Sequence, residues 1–296
     1  PAHSSKLTAL PDLQHERCFL RVKRRSAEQT KSRQAGPKAA PAIRATVQVA
    51  DGRLEILARW PVLALCGLSF LLSLPLFAPW SWWPLGYVVF VPWLIAACTT
   101  RSKVWAYLGT YLLGAAFMLF HFRWLFDTTP EGYVAASLLY LAMFFPLAAW
   151  ALRQVWYRRI PLVVAFPVIW TGFEILRAHN PLGFPWFLLG HSQIHLLPMV
   201  QIADFAGVYG VTFVLATVNG LVADALLTWI VARRGGPAKW RPILAFELPA
   251  GLIVLAATIG YGAYRLNESR FTDGPLTAVL QGDFLLRADP NDTGAS

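Results

Sequence analysis

Nucleophiles are weighed first, because an activated thiol or hydroxyl is the usual route to covalent catalysis. The chain has three cysteines, Cys18, Cys66 and Cys98. None has a His or Lys at a spacing that would draw off its proton, and Cys66 and Cys98 read as small buried hydrophobes. No serine occupies a G-x-S-x-G turn. The six histidines form no HExxH or other metal-ligand set. The residues therefore assign no catalytic group, no metal and no cofactor. What remains is polar chemistry set among apolar runs. Glu174 and Arg177 are three apart, which places them on one helix face. They form a structural pair, or they line the mouth of a lipid-facing pocket. Gly183–Phe184–Pro185–Trp186 is an apolar turn whose rings anchor in lipid or flank an acyl chain. His191 and His195 would share a face if that stretch is helical, as an interfacial hydrogen-bonding pair. Asp224 and Glu247 lie inside apolar runs, where charge is costly. They relay a proton or ion, or they brace two helices in ion pairs near Arg233, Arg234 and Arg241. Asn219 is expected to hydrogen-bond across helices, and Gly207 and Gly210 to permit close helix approach.

The elements that must position these groups are membrane helices. Of 296 residues, 56% are hydrophobic and only 14% charged, against roughly 25% charged in an average soluble protein. A wholly disordered chain is excluded, and too few charges remain to coat an ordinary soluble surface. The 13 Trp, 19 Phe and 9 Tyr suit membrane–water interfaces. Seven apolar segments follow one another: 60–77, 85–98, 104–122, 133–152, 160–173, 208–231 and 243–264. Five reach the roughly 17–25 residues a crossing needs, and 85–98 and 160–173 fall short. Backbone polar groups find no water in lipid, so the segments are helices, and the alternation of a barrel strand is absent. The fold class is an all-α polytopic membrane protein with about seven transmembrane helices.

Residues 1–59 read as a basic, disordered cytoplasmic tail. They hold 12 of the 26 Lys and Arg, and the cluster Arg21–Arg25 suits anionic lipid or nucleic acid. The net charge of +10 comes from this tail and from short basic clusters between apolar runs, a membrane pattern rather than a nucleic-acid one. With the tail inside, 21 of the 26 basic residues fall on the inner side, which sets the N-terminus in the cytoplasm and the C-terminus outside. Within the helical domain 60–264, the segment 174–207 is too broken by Pro181, Pro185 and Pro198 to span. It is too apolar for a solvated loop, so it is expected to lie in the outer interface. Residues 265–296 are extracytoplasmic, and Leu276–Gly282 reads as a short buried strand.

The order of motifs from about Leu63 to Gly282 resembles the membrane part of bacterial apolipoprotein N-acyltransferase. The resemblance rests on Phe77–Ala78–Pro79 with Trp83–Pro84–Leu85, then Trp124, and Glu174–Ile175–Leu176–Arg177. It continues through Gly183–Phe184–Pro185–Trp186 with Ser192–Gln193, Gly207–Phe213 with Asn219, and Val279–Asp283. It implies a protein of the bacterial inner membrane that moves a fatty acyl chain from a phospholipid donor to the diacylglyceryl-cysteine of a lipoprotein acceptor. It implies a Glu–Lys–Cys triad in a nitrilase-like domain, whose first strand would be Leu276–Gly282. Nothing in these 296 residues maps onto that triad, so the chain alone is expected to be inactive. Glu174, Arg177, Phe184, Trp186, His191 and Gln193 are the expected substrate-binding residues. The alternatives are a membrane scaffold or anchor for a partner enzyme, and a small transporter built on Asp224 and Glu247.

Overall fold

The computed structural model of the chain describes residues 48–50, 53–55, 59–233, 243–268 and 274–279. The tail residues 1–47, with Arg21–Arg25 and Cys18, lie outside the described residues, as do Arg234, Lys239, Arg241 and Leu280–Gly282. Within the segment read as a disordered tail, β1 (Gln48–Ala50) and β2 (Arg53–Glu55) pair as an antiparallel ribbon, with Val49 opposite Leu54. Asp51–Gly52 between them is the dipeptide that two-residue hairpin links favour.

Nine α-helices follow among the described residues. They are α1 (Arg59–Ser73), α2 (Val91–Thr99), α3 (Lys103–His121), α4 (Pro130–Ala135), α5 (Phe144–Tyr157), α6 (Leu162–His179), α7 (Leu197–Val200), α8 (Ala203–Arg233) and α9 (Ile243–Glu268). α4 and α5 are joined by a π-helical turn (Ala136–Tyr140) and a 3-10 turn (Leu141–Met143) into one rod. Five helices are long and apolar enough to cross a membrane: Lys103–His121, Pro130–Tyr157, Leu162–His179, Ala203–Arg233 and Phe246–Glu268. The expected lengths change in two places. α1 stops at Ser73 before Pro75 and is 15 residues long, short of a full crossing. α6 runs past Phe173 to His179 and is 18 residues long, because Glu174 and Arg177 are buried inside the protein and do not end the helix.

Many large apolar side chains on these helices face outward, among them Leu71, Val104, Leu139, Val168 and Ile253. Water would penalise that surface and lipid does not. Inside, aromatic rings pack edge to face. Trp93 is completely buried among Phe90, Phe145, Phe166 and Trp170, and its indole N–H donates to Thr110 Oγ1 at 3.1 Å.

α6 and α8 make the most extensive helix contact. A Cβ on Gly220 would overlap the Leu162 carbonyl, so only glycine allows this approach. One turn on, Asp224 Oδ2 accepts from the Val163 backbone N–H at 2.9 Å. The cap residue Pro161 offers no side-chain acceptor, and a carboxylate from a distant helix serves in its place. The expected ion pair of Asp224 is therefore not what holds it: among the described residues it is in no salt bridge. Glu247 is also buried, and neither of its oxygens has a hydrogen-bond partner. The opposite logic operates at α2, where the buried Arg153 donates to the carbonyls of Ala97 and Thr100 near the helix C-terminus. Asn219 does bridge elements, donating to Gly86 O at 2.8 Å and accepting from Phe90 N at 2.9 Å. Gly207 differs from expectation. A Cβ there would meet nothing within 4 Å, but its φ of 58° turns the chain between Ala203–Ala206 and the long arm of α8.

Gly274–Val279 has no regular structure, and Leu276 and Val279 are fully exposed. The expected strand is thus not formed over its described residues: a strand needs a neighbour for its ladder, and among the described residues none pairs with it.

Candidate functional site at one end of the bundle

Glu174 is the centre of a buried polar junction. Its Oε1 accepts from the indole N–H of Trp170 at 3.0 Å and from the Leu189 backbone N–H at 2.8 Å. Its Oε2 accepts from the Thr212 hydroxyl at 2.7 Å, and that hydroxyl accepts in turn from Gly190 N–H at 2.9 Å. One carboxylate thus ties α6 and α8 to the 3-10 turn Leu189–Gln193. Its lone pairs meet donors from three directions, which offsets the cost of burial.

Arg177 lies one turn further along α6 and is 4% exposed. The expected pair with Glu174 is not a contact salt bridge among the described residues, although the two charges lie within electrostatic reach of each other. Neutral donors have taken the oxygens. The hydrogen-bond partner of the guanidinium is the Met118 sulfur at 4.0 Å, a weak acceptor. Both residues line a narrow aromatic crevice with Leu76, Phe117, Phe144 and Phe187, which encloses a void of about 20 Å³. That is room for about one water molecule.

The remaining expected residues separate into two groups. Phe184 and Trp186 pack on each other at 5.7 Å as an aromatic shelf and do not line the crevice. Phe184 packs on Phe122 and Tyr140 at 5.9 and 6.5 Å, and Trp186 on Trp124 at 5.9 Å. Trp186 is 46% exposed, as an interfacial ring would be. His191 and Gln193 lie instead in the 3-10 turn. His191 Nδ1 accepts from Leu188 N–H at 3.3 Å, and burial, then the nearby Arg177 charge, push its pKa down. Gln193 is fully buried and donates to Trp83 O and Ser192 Oγ, each at 2.9 Å, so its amide fastens Trp83–Tyr87 to this turn. No helix spans His191 and His195, because the 3-10 turn ends at Gln193, so the expected shared face is absent. The segment read as interfacial begins in effect at Asn180, since Glu174–His179 are helical.

Sequence reasoning missed Trp170, Thr212, Met118 and Tyr140. Trp170 was within reach, being four residues before Glu174 on an apolar helix, where an indole N–H needs an acceptor. Thr212 and Met118 come from other helices; Thr212 lies within the quoted motif Gly207–Phe213, but nothing in the local sequence of either shows which residue it meets.

Apolar helices sharing a core, with a buried polar junction under an aromatic rim, define a polytopic helical membrane protein of multi-pass type. Residues 67–221 match the family model of the apolipoprotein N-acyltransferase N-terminal domain. The chain is 30% identical over 220 residues to the apolipoprotein N-acyltransferase of Geobacter metallireducens, covering 70% of this chain and 41% of that one. It is 30% identical over 198 residues to that of Pasteurella multocida, covering 64% of this chain and 35% of the relative. For Rhodopirellula baltica the figures are 29% over 215 residues, 68% and 37%. The chain belongs to the apolipoprotein N-acyltransferase family. It spans about two fifths of the length of these curated relatives.

Proposed function

We propose that these residues are the membrane portion of an apolipoprotein N-acyltransferase. In this reading the whole protein takes a fatty acyl chain from a phospholipid and places it on the N-terminal diacylglyceryl-cysteine of a lipoprotein, in the bacterial inner membrane. The observation that carries the reading is the family match over 67–221, which includes the Glu174 junction, the crevice and the aromatic shelf. Seven crossings are proposed, the two shorter apolar helices Pro61–Ser73 and Trp83–Thr99 completing the five long ones. The N-terminus is then cytoplasmic, and the Glu174 end faces the other side. Leu276–Gly282, irregular over its described residues, is proposed to become a strand only when paired with the other strands of a nitrilase-like domain in the whole protein.

Glu174, Arg177, Phe184, Trp186, His191 and Gln193 are proposed to form and hold the lipid-receiving site. Glu174, His191 and Gln193 fix the turn beside the crevice. Arg177 faces the crevice, and the Phe184–Trp186 shelf meets lipid. No cofactor is invoked. Residues 1–296 alone are proposed to lack transferase activity: Cys66 and Cys98 are buried thiols within helices, where no substrate reaches them.

The test is a chimera. Residues 60–273 of this chain replace the corresponding part of the Geobacter metallireducens relative, and acyl transfer from phospholipid to a diacylated lipopeptide is measured. Triacylated product is expected from the chimera and none from residues 1–296 alone. A chimera that folds, inserts and makes no product overturns the proposal.

A further inference from the structure

Behind the wall of the crevice one buried nitrogen has no partner. His121, the last residue of α3, is 7% exposed, and its Nε2 is fully buried without a hydrogen bond. The rings of Phe77, Phe117, Phe120 and Phe187 pack around the imidazole, with centroids 4.4 to 5.2 Å away. None of these rings carries a polar atom to answer it. The other ring nitrogen is provided for, since the Ser73 backbone lies within hydrogen-bonding reach. Ser73 ends α1, where carbonyls are on offer, and its own accepts from Leu76 N–H at 3.2 Å with a second lone pair to spare. A neutral imidazole that gives its Nδ1–H to this carbonyl turns a lone pair out at Nε2. Nε2 is thus an acceptor without a donor, and burying it unmet is costly. The Arg123 guanidinium lies over Phe120 at 5.0 Å and within electrostatic reach of His121, so a cationic donor such as an ammonium is repelled. An amide N–H would bring a carbonyl that the Phe rings cannot answer. A hydroxyl leaves the smallest unmet remainder.

We propose that His121 Nε2 accepts a hydrogen bond from an alcohol hydroxyl on a lipid that enters the crevice, and so selects hydroxyl-bearing lipids. The inference rests on the lipid-receiving reading above and adds a residue and a ligand group to it. Three of the four rings, Phe77, Phe117 and Phe187, are also walls of the crevice, so a layer of rings stands between Nε2 and the space a lipid would fill. The void of about 20 Å³ holds no more than a water molecule, so a wall has to move. Phe77 and Phe117 are buried, whereas Phe187 is only partly buried and belongs to the loop between α6 and the 3-10 turn Leu189–Gln193. Its φ of 51° lies in the left-handed region that residues other than glycine rarely adopt. A loop ring on a strained backbone is the wall that yields first, and its departure joins the crevice to His121. The hydroxyl comes from a glycerol carbon or from the acyl chain itself, and the two share one chemistry at Nε2.

Native mass spectrometry of the full chain, loaded from detergent with two pairs of probes, tests this. The first pair is a monoacylglycerol and the same lipid with both hydroxyls methylated. The second is the methyl ester of a β-hydroxy fatty acid and that of the plain fatty acid of equal length. Wild type is expected to retain the hydroxyl-bearing member about fivefold over its hydroxyl-free counterpart in at least one pair, the effect of one neutral hydrogen bond. The pair that shows the preference names the source of the hydroxyl. His121→Phe keeps a ring in the cage and removes the acceptor. It should abolish the preference and leave retention of the hydroxyl-free probes unchanged. Equal retention within both pairs by wild type overturns the inference alone, since a lipid site would still exist. So does a preference that survives His121→Phe. Retention of no probe overturns the inference and the lipid-receiving reading together. Should His121→Phe not fold, the favoured probe, carrying a diazirine beside its hydroxyl, is used on wild type. Labelling of peptides containing His121 or Phe187 is expected, and labelling elsewhere only overturns the assignment.

Discussion

Asp224 and Val163 are 61 positions apart in sequence, yet the Asp224 carboxylate accepts the Val163 backbone N–H at 2.9 Å. A side chain of α8 thus caps the start of α6. With Gly220 one turn earlier, it fixes where the helix bearing Glu174 and Arg177 begins, and so where those two side chains end up.

Asp224→Ala removes this cap and should lower stability by about 1–2 kcal/mol, the range for loss of an N-cap acceptor. Asp224→Asn keeps an acceptor oxygen and should cost less. Thermal unfolding in detergent checks the order. Equal losses for Asn and Ala would show that the charge rather than the hydrogen bond matters. The cap gives Asp224 a structural use, whereas Glu247, the other residue behind the transporter alternative, has no hydrogen-bond partner.

Glu174→Ala strands three donors, the Trp170 indole, the Leu189 amide and the Thr212 hydroxyl. At about 1–3 kcal/mol for each buried unsatisfied group, this is among the most damaging single changes in the chain. Glu174→Gln keeps an acceptor for Trp170 and Leu189 and should be milder. Hydrogen exchange at Leu189 and Gly190 is the direct readout: faster exchange in Ala than in Gln is expected.

Gly220→Ala drives a methyl into the Leu162 carbonyl and should destabilise by about 1–3 kcal/mol. Gly172→Ala meets nothing within 4 Å on the same helix pair and should be neutral or stabilise by up to about 1 kcal/mol. Opposite shifts in melting temperature check the pair together.

His191 gives a pH dependence. Its folded-state pKa lies below the ordinary value of 6.5, so the folded protein binds fewer protons there than the unfolded chain. The associated stability is present above pH about 6.5 and is lost as the pH falls through that value. Melting curves between pH 8 and 5 should show this loss in wild type and a smaller one in His191→Gln.

Asn219→Leu leaves the Phe90 N–H and the Gly86 carbonyl without their partner in the core. A loss of about 2–3 kcal/mol is expected, larger than for a same-sized change on the outward face. Unfolding by denaturant in mixed micelles measures it.

The sequence by itself determined the class of protein, because apolar runs of crossing length leave the backbone no choice but helix. It also singled out Glu174 and Arg177, because a spacing of three places them on one helix face. It placed Asn219 between elements as well. It did not determine the partners. Whether Glu174 meets Arg177 or Trp170, Leu189 and Thr212 depends on which donors α8 and the 3-10 turn deliver, and those arrive from 15 to 38 positions away. Local spacing suggested an ion pair, but tertiary contacts supplied better-placed neutral donors and left the guanidinium to the crevice. The ends of α1 and α6 were likewise misjudged from hydropathy. A helix stops where its backbone loses partners, as before Pro75, and not where a charged side chain appears. Only the packing of α6 on α8 decided that Glu174 and Arg177 could continue the helix as buried groups.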